Sequence, residues 1–419
     1  MASELTQSKR WMVLIVAIGS LLFDGMELGM MPVASISLTR DLLGEGYTKQ
    51  LGGDWFAALT AALMLGAAMG GIALGSLGDA IGRARALGVS VLFYSIFAGL
   101  GGWVTTLDQM LVLRFLVGLG VGGVWPNAVA LASECWPNKS RPAVAGLLGA
   151  ALNLGILILS QIVLYWSVTP DSWRWLFFLA AIPTVLGLGI LGFLPESPKW
   201  LETSRSPQKS TSVASRIVVM ELFSKELLRT TIVGIVLGSI PLIGAWAASK
   251  WMIPWADVVA SDTHPGYKAM TQGYWSLGAV LGSFFGAQIA SWLGRRLAYS
   301  LMSLGSTSIT MLLFLATEPL QAWFLPLVFA QGFVATLFFG WLPLYLPELF
   351  PTRVRSTGTG VSYNIGRFAT AIAVFAAGKL FLALDGSYVY VGAICSLVYL
   401  FGLAAIPFAP DTTKRTLEH

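Results

Sequence analysis

Charge is scarce in this chain of 419 residues. Asp, Glu, Lys and Arg together make up 11% of it, whereas 56% of the residues are hydrophobic and the mean hydropathy is +0.73. A soluble chain of this size would carry far more charge, so the balance excludes large soluble domains and predicts lipid around most of the chain. Each spanning helix takes about 20 apolar residues, so the length allows roughly 12 to 14 spans.

Cysteine and histidine are also almost absent. Cys135 and Cys395 are the only cysteines, and the chain has two histidines. Without CxxC spacing or a Cys/His cluster, the sequence predicts no disulfide framework, no metal site and no cofactor. His264 falls in a predicted outer loop, far from the acids inside the spans, so we do not expect an enzyme.

The basic residues outnumber the acidic ones, 26 to 21. They lie between apolar runs rather than in a continuous patch, so we interpret them as topology signals and expect no nucleic-acid partner. Most of them fall in loops on the side of the two termini. By the positive-inside rule this predicts a multi-pass protein of the plasma (inner) membrane with both termini cytoplasmic.

Twelve apolar stretches can be counted along the chain. The polar N-terminus runs directly into the first stretch without a convincing cleavage site, so we expect the first helix to be retained. The stretches are centred near Asp24, Gly66, Ile96, Gly122, Gly155, Val185, Pro241, Ala279, Thr307, Gln331, Thr370 and Leu397. We therefore predict an all-α membrane protein with twelve transmembrane helices.

Two short repeats divide these helices into halves. The pattern E-x-x-P-x-x-x-R occurs at Glu134 to Arg141 and again 214 positions later at Glu348 to Arg355, and Gly82-Arg83 recurs as Gly294-Arg295. A polar stretch falls between the halves. We predict a six-helix bundle over 1–194, a cytoplasmic linker over 195–225, a second, pseudo-symmetric six-helix bundle over 226–416 and a tag remnant over 417–419.

Four segments resemble motifs of the major facilitator superfamily. Residues 75–85 resemble its loop signature G-x-x-x-D-[RK]-x-G-R-[RK], with Ala80 in place of the usual base and Arg85 displaced by one. Residues 114–123 and 195–201 are similar to the glycine-rich fourth helix and the P-E-S-P-R-[WY]-L motif of its sugar porters and organic ion transporters. Residues 23–28 look like the D-G-x-D/E motif of the aromatic acid and proton symporters. The resemblance implies a carrier whose halves rock around a central site.

Several charged residues lie at the predicted cytoplasmic ends of helices. We expect Asp79 to pair with Arg83 or with a base on another helix, and glycines 118–123 to serve close helix packing rather than nucleotide binding. Ser291 stands where the first half has Asp79, so the latch of the second half is expected to be weaker or absent. The predicted gating residues are Asp79, Arg83, Arg85, Glu134, Arg141, Glu348 and Arg355.

Two carboxylates lie within the first predicted span. Asp24 and Glu27 are three residues apart and therefore share a helix face. Two carboxylates this close repel one another, which makes them candidate proton carriers. The alternative is that they are structural partners of buried cations.

Arg367 lies too deep in the eleventh span to reach the interface comfortably. A guanidinium facing a cavity, beside Asn364 and Tyr363, suits a carboxylate substrate; the alternative is that Arg367 neutralises Asp24 or Glu27. Arg114 is the second candidate anion ligand. Lys250 and Lys379 are expected near the outer interface. Further candidates for the wall of a binding site are Trp125, Asn153, Gln161, Trp246, Gln272, Trp275, Gln331 and Trp341.

These residues favour a proton-coupled importer of a small organic anion, such as an aromatic or sugar-derived carboxylate. A neutral sugar porter remains an alternative because the motifs of the fourth and sixth helices are shared with sugar porters. An organic cation transporter with Asp24 or Glu27 as counter-ion is another, and a receptor or membrane enzyme is a third class. The expected partners are a small-molecule substrate, protons and the lipid bilayer, and the fold needs no second copy to form a pathway.

Overall fold

The computed structural model describes residues 5–136, 141–205, 220–351 and 354–412. These residues form long helices and no strand. The twelve helices long and apolar enough to cross a membrane are α1 Gln7–Leu43, α2 Lys49–Ile81, α3 Arg83–Leu100, α4 Leu107–Cys135, α5 Arg141–Tyr165, α6 Arg174–Phe193, α7 Leu228–Ala260, α8 Tyr267–Leu293, α9 Arg295–Ala316, α10 Phe324–Leu349, α11 Arg355–Ala383 and α12 Tyr388–Phe408. The prediction of twelve spans is confirmed, since each predicted centre falls within one of them.

The linker is described only in part. A short helix, Pro198–Arg205, follows α6, and residues 206–219 lie outside the described part of the chain. The proposed boundaries at 194, 225 and 416 therefore stay predictions. Residues 417–419 also lie outside the described part.

Close glycine contacts hold corresponding helices together in both halves. A Cβ at Gly118 of α4 would lie 2.2 Å from the carbonyl oxygen of Leu63 in α2, and one at Gly332 of α10 would lie 2.1 Å from that of Trp275 in α8. The residues of the second contact follow those of the first by the same offsets as the sequence repeats, so the two contacts lie at corresponding positions of the halves. Backbones this close leave no space for a side chain, so the packing role predicted for residues 118–123 is confirmed.

Helix α7 is interrupted near its middle. After Pro241 it passes through a π-helical segment, Gly244–Ala248, and a 3-10 turn, Ser249–Trp251, before it resumes as Met252–Ala260. Such segments rotate the side chains that follow them relative to a regular helix, and they recur at functional sites. Here the interruption turns Lys250 into the protein.

We call the end of the bundle that carries Gly82 and Gly294 the motif end, and the opposite end the far end. At the far end Lys268 of α8 donates to Asp257 of α7, at 3.0 Å, and crosses to the first half, where it donates to the Ser37 hydroxyl and the Val168 carbonyl. Lys379 of α11 likewise pairs with Asp54 of α2, at 3.0 Å. These bonds tie the two halves together at the far end.

Candidate functional site

Glu27 and Arg114 form an ion pair between α1 and α4 deep in the first half. Glu27 Oε1 accepts from Arg114 Nη1, and each side chain is only 1% exposed. Arg114 was the second candidate for an anion ligand; its charge is paired with that of Glu27, and its role in anion binding stays a prediction. The second carboxylate oxygen of Glu27, Oε2, has no hydrogen-bond partner in the described part of the chain. Glu27 also lines a cavity of about 10 Å³, enough for roughly one water.

Asp24 lies one turn before Glu27 and is 2% exposed. Its Oδ1 atom has no hydrogen-bond partner among the described residues, and the basic group that acts on it electrostatically is Arg367 of α11. Each carboxylate of α1 is thus associated with a different arginine. The sequence could place the acids on one helix face but could not assign their partners.

Arg367 is half-buried where α11 of the second half meets α2 and α4 of the first. Its Nη1 atom donates to the carbonyl oxygens of Ala67, at 3.3 Å, and Gly122, at 3.5 Å. The guanidinium lies 5.1 Å from the ring centre of Tyr363. Among the described residues no carboxylate lies within ion-pair distance of it, so most of its hydrogen-bonding capacity is uncommitted.

Asn364 lies one turn before Arg367 on the same face of α11. Its amide nitrogen donates to Gly360, at 3.0 Å, and its oxygen lies against Gly71 of α2. Tyr363, Asn364 and Arg367 therefore lie together between the halves. Their roles in substrate binding stay predictions.

Lys250 is not where the sequence suggested. Instead of reaching the outer interface, it is 2% exposed, and its ammonium lies 3.2 Å from the ring centre of Trp275 and 5.6 Å from that of Trp246. The irregular segment of α7 causes this inward placement. In the described part of the chain Lys250 has neither a hydrogen-bond partner nor a carboxylate partner. Lys379, by contrast, is half exposed at the far end.

A polar cluster fixes the tryptophan beneath Lys250. Trp275 Nε1 donates to Gln331 Oε1 at 2.7 Å, and Gln331 Nε2 donates to the hydroxyls of Ser249 and Thr310. Gln331 is therefore fully used within the second half. Gln272, one turn before Trp275, is fully buried, and neither atom of its amide has a hydrogen-bond partner within the described ranges.

The remaining candidates for the wall of a binding site lie in different parts of the structure. Asn153 donates to Ser283 across the halves at 2.9 Å, and Trp246 packs against the core of the first half and against a core to which both halves contribute. Trp125 is half-buried against the core of the first half, and Gln161 is exposed beside Gly273.

The position of Trp341 differs from the predicted one. It was a candidate for the middle of a span, but its Nε1 donates to the carbonyl of Arg295, at 3.0 Å, which places it at the motif end. There it stacks on Tyr345 and packs against Tyr299 within the core of the second half.

The motif end of the first half contains a charged network. Arg83 pairs with the exposed Asp79 and approaches Glu134 at 3.5 Å, and Glu134 accepts from the Ser197 hydroxyl. Glu196 accepts from the backbone nitrogen of Ala84, at 3.0 Å, which compensates the free N–H groups at the start of α3. The sequence quoted residues 195–201 only as a motif and did not identify this role of Glu196 and Ser197.

The second half has a stronger latch than we expected. Arg295 makes two bonds to Glu348, at 2.8 and 3.0 Å, in a buried site. The expectation that Ser291 weakens this latch is wrong, because the pairing uses Glu348 of the repeated E-x-x-P pattern rather than a residue at position 291. Arg295 and Glu348 correspond by sequence offset to Arg83 and Glu134.

The remaining predicted gating residues are Arg85, Arg355 and Arg141, and their gating role stays a prediction. Arg85 is exposed and forms no ion pair with any residue that the structure describes. Arg355 is half-buried at the start of α11. The side chain of Arg141 lies outside the described part.

No group of three His, Cys, Asp or Glu side chains within the described ranges is placed to hold a metal ion.

Comparison with known proteins identifies the family. The family model of the Major Facilitator Superfamily matches residues 13–374. The chain belongs to the major facilitator superfamily. It is a multi-pass membrane protein and a secondary transporter, as the motifs predicted.

Several named relatives are similar over most of the chain. A cis,cis-muconate transport protein of Acinetobacter baylyi is 29% identical, over 80% of this chain and 82% of its own. A probable 4-methylmuconolactone transporter of Cupriavidus pinatubonensis is 28% identical, over 84% and 81%. Among solved structures, the inward-open xylose transporter XylE of E. coli has a TM-score of 0.75 at 18% identity, covering 97% of this chain and 98% of that one. This likeness shows the fold alone.

Proposed function

We propose that this transporter takes up a small organic anion together with a proton by alternating access. The observation that carries the proposal is Arg367, a half-buried guanidinium between the halves whose only hydrogen bonds in the described chain are two long ones to backbone carbonyls. Inside a membrane such a charge is costly unless it serves a ligand or a partner. A carboxylate satisfies it through two parallel hydrogen bonds.

Asp24 supplies the link to the proton. Asp24 is buried, and Arg367 is the cation whose charge acts on it. A substrate carboxylate bound to Arg367 compensates that charge, so Asp24 then favours its protonated form. Glu27 is already paired with Arg114, so we assign the proton to Asp24 and give Glu27 a positioning role.

The named relatives support an organic acid as cargo. Two of them are described as transporters of muconate and, probably, of 4-methylmuconolactone. A neutral sugar would give Arg367 no function, and an organic cation would be repelled by Arg367 and Lys250. We further propose a monomer in the plasma membrane with the motif end and both termini facing the cytoplasm.

Uptake into proteoliposomes under an inward proton gradient tests the proposal. The probes are labelled benzoate, gluconate, glucose and tetraethylammonium, and protein-free liposomes correct for passive entry of protonated acids. We expect protein-dependent uptake of an acid, and a rise in its KM of about 30-fold or more in Arg367→Ala, corresponding to about 2 kcal/mol. The control is Arg229→Ala, which alters an exposed arginine at the motif end. Uptake of glucose alone, unchanged in Arg367→Ala, would contradict the proposal.

A further inference from the structure

The buried ammonium of Lys250 lacks the counter-ion that its position demands. It is 2% exposed, lies within a membrane span and has no hydrogen-bond or ion-pair partner among the described residues. The face of Trp275, at 3.2 Å, offers it only a cation–π contact. Such a contact contributes far less than the cost of desolvating an ammonium, so the site favours an anion.

A count of charges inside the bundle leads to the same conclusion. At mid-depth, Glu27 is balanced by Arg114, and Asp24 lies under the influence of Arg367. Lys250 is the cation left over in this part of the described structure. A ligand with one negative charge at Lys250 therefore completes the balance.

The side chains around Lys250 have two features of a binding site: a ring held in a fixed orientation and a buried polar group that is free to bind a ligand. Trp275 is held in place by Gln331, which is itself bonded to Ser249 and Thr310, so the ring beneath the ammonium has a fixed orientation. Gln272 lies one turn away from Trp275 on the same face of α8. It is fully buried, and neither amide atom bonds to any residue that the structure describes. An amide N–H there is a suitable second donor for a carboxylate.

Trp246 connects this place with Arg367. It lies one turn before Lys250 on α7, 5.6 Å from the ammonium. The π-helical segment that carries Trp246 also contacts α11, the helix of Arg367. A flat molecule lying along Trp246 can thus extend from one cation toward the other, and an aromatic wall favours a planar body.

We propose that Lys250, Trp275 and Gln272 form a second anion subsite, so that the preferred substrate is a planar dicarboxylate. This rests on the proposed function, in which Arg367 binds one carboxylate. The second carboxylate pairs with Lys250 and accepts a hydrogen bond from Gln272. Trp246 lies against the body between the two charged ends.

Matched pairs of acids test the subsite. Full-length protein in liposomes is assayed with trans,trans-muconate against sorbate, and with terephthalate against benzoate; each pair shares a planar body and differs in its second carboxylate. We expect wild-type KM values to be lower for the diacids. Lys250→Met should raise the diacid KM about tenfold, leave the monoacid KM within about twofold and thereby abolish the preference. Lys250→Arg should keep the preference.

Controls separate loss of folding from loss of recognition. Lys49→Met removes an exposed lysine that also lies over an aromatic ring, Tyr388, and should leave both KM values unchanged. If Lys250→Met does not fold, Gln272→Leu should reduce the preference, and diacid binding to purified Lys250→Arg provides the second measurement. Equal effects of Lys250→Met on mono- and diacids, or no effect on either, would overturn the subsite. If wild-type protein transports none of the acids, the proposed function itself fails.

Discussion

Glu27 and Arg114 are paired between α1 and α4 with both side chains almost completely buried. Removing one member of a buried pair leaves the other charge uncompensated, which costs about 3 to 5 kcal/mol. We expect Glu27→Gln to lower the free energy of unfolding by that amount, and Glu27→Gln combined with Arg114→Gln to lower it less. Unfolding in detergent micelles measures both.

The control for this cycle is Glu45→Gln, which neutralises an exposed carboxylate in the turn after α1 that forms no ion pair with a described residue. It should change stability by less than about 0.5 kcal/mol. Additive losses from Glu27→Gln and Arg114→Gln would mean that the two side chains do not interact.

The two corresponding latches at the motif end should differ in strength. Arg295 makes two bonds to the buried Glu348, whereas Arg83 reaches Glu134 at 3.5 Å and also pairs with the exposed Asp79. We therefore expect Glu348→Gln to destabilise the protein by about 3 kcal/mol and Glu134→Gln by about 1 kcal/mol. Thermal unfolding of the two variants compares them, and a larger loss in Glu134→Gln would refute this ranking.

Much of this architecture was accessible from the sequence. Apolar runs of the right length gave the twelve helices, and the repeated motifs gave the correspondence of the halves. The strength of the second latch was misjudged because the prediction considered only Ser291, the residue at the position that corresponds to Asp79. The residue that pairs with Arg295 is Glu348, 53 positions away along the chain, and only the packing of α10 beside α9 brings the two together.

The candidate site was less predictable. Hydropathy places a lysine by its position along a regular helix, so Lys250 was assigned to the interface. The interruption at Gly244–Ala248 changes the direction of that side chain, and hydropathy carries no signal for it. Trp341 was misplaced for a related reason: its apolar neighbours continue to the end of α10, so composition did not reveal its depth.

Gly82 is a position where a side chain is not tolerated. Its φ is +110°, and a Cβ would lie 2.1 Å from Glu196 Oε2, the carboxylate that caps α3. We expect Gly82→Ala to destabilise the protein by about 1 to 3 kcal/mol and to weaken transport. Gly192 lies within α6, and no atom of the described residues lies within 4 Å of its Cβ position. Gly192→Ala should therefore be neutral or slightly stabilising, and unfolding measurements compare the two. Equal stability of both variants would contradict the strain at Gly82.

Lys268 should hold the far end closed. It joins Asp257 to Ser37 and Val168 of the other half from a buried position. In protein carrying Cys135→Ser, Cys395→Ser and Met30→Cys, we expect Lys268→Met to increase labelling by an impermeant maleimide from the far side several-fold. Lys49→Met is the control. An unchanged labelling rate would show that these bonds do not control access.

Proton entry driven by substrate tests the proposed coupling most directly. Proteoliposomes containing a pH-sensitive dye are given the transported acid without a pre-existing pH gradient, and protein-free liposomes provide the passive background. We predict internal acidification with wild-type protein, and none in Asp24→Asn, which should still exchange labelled for unlabelled substrate. Acidification of equal size in Asp24→Asn, or substrate uptake by wild-type protein without acidification, would contradict proton coupling through Asp24.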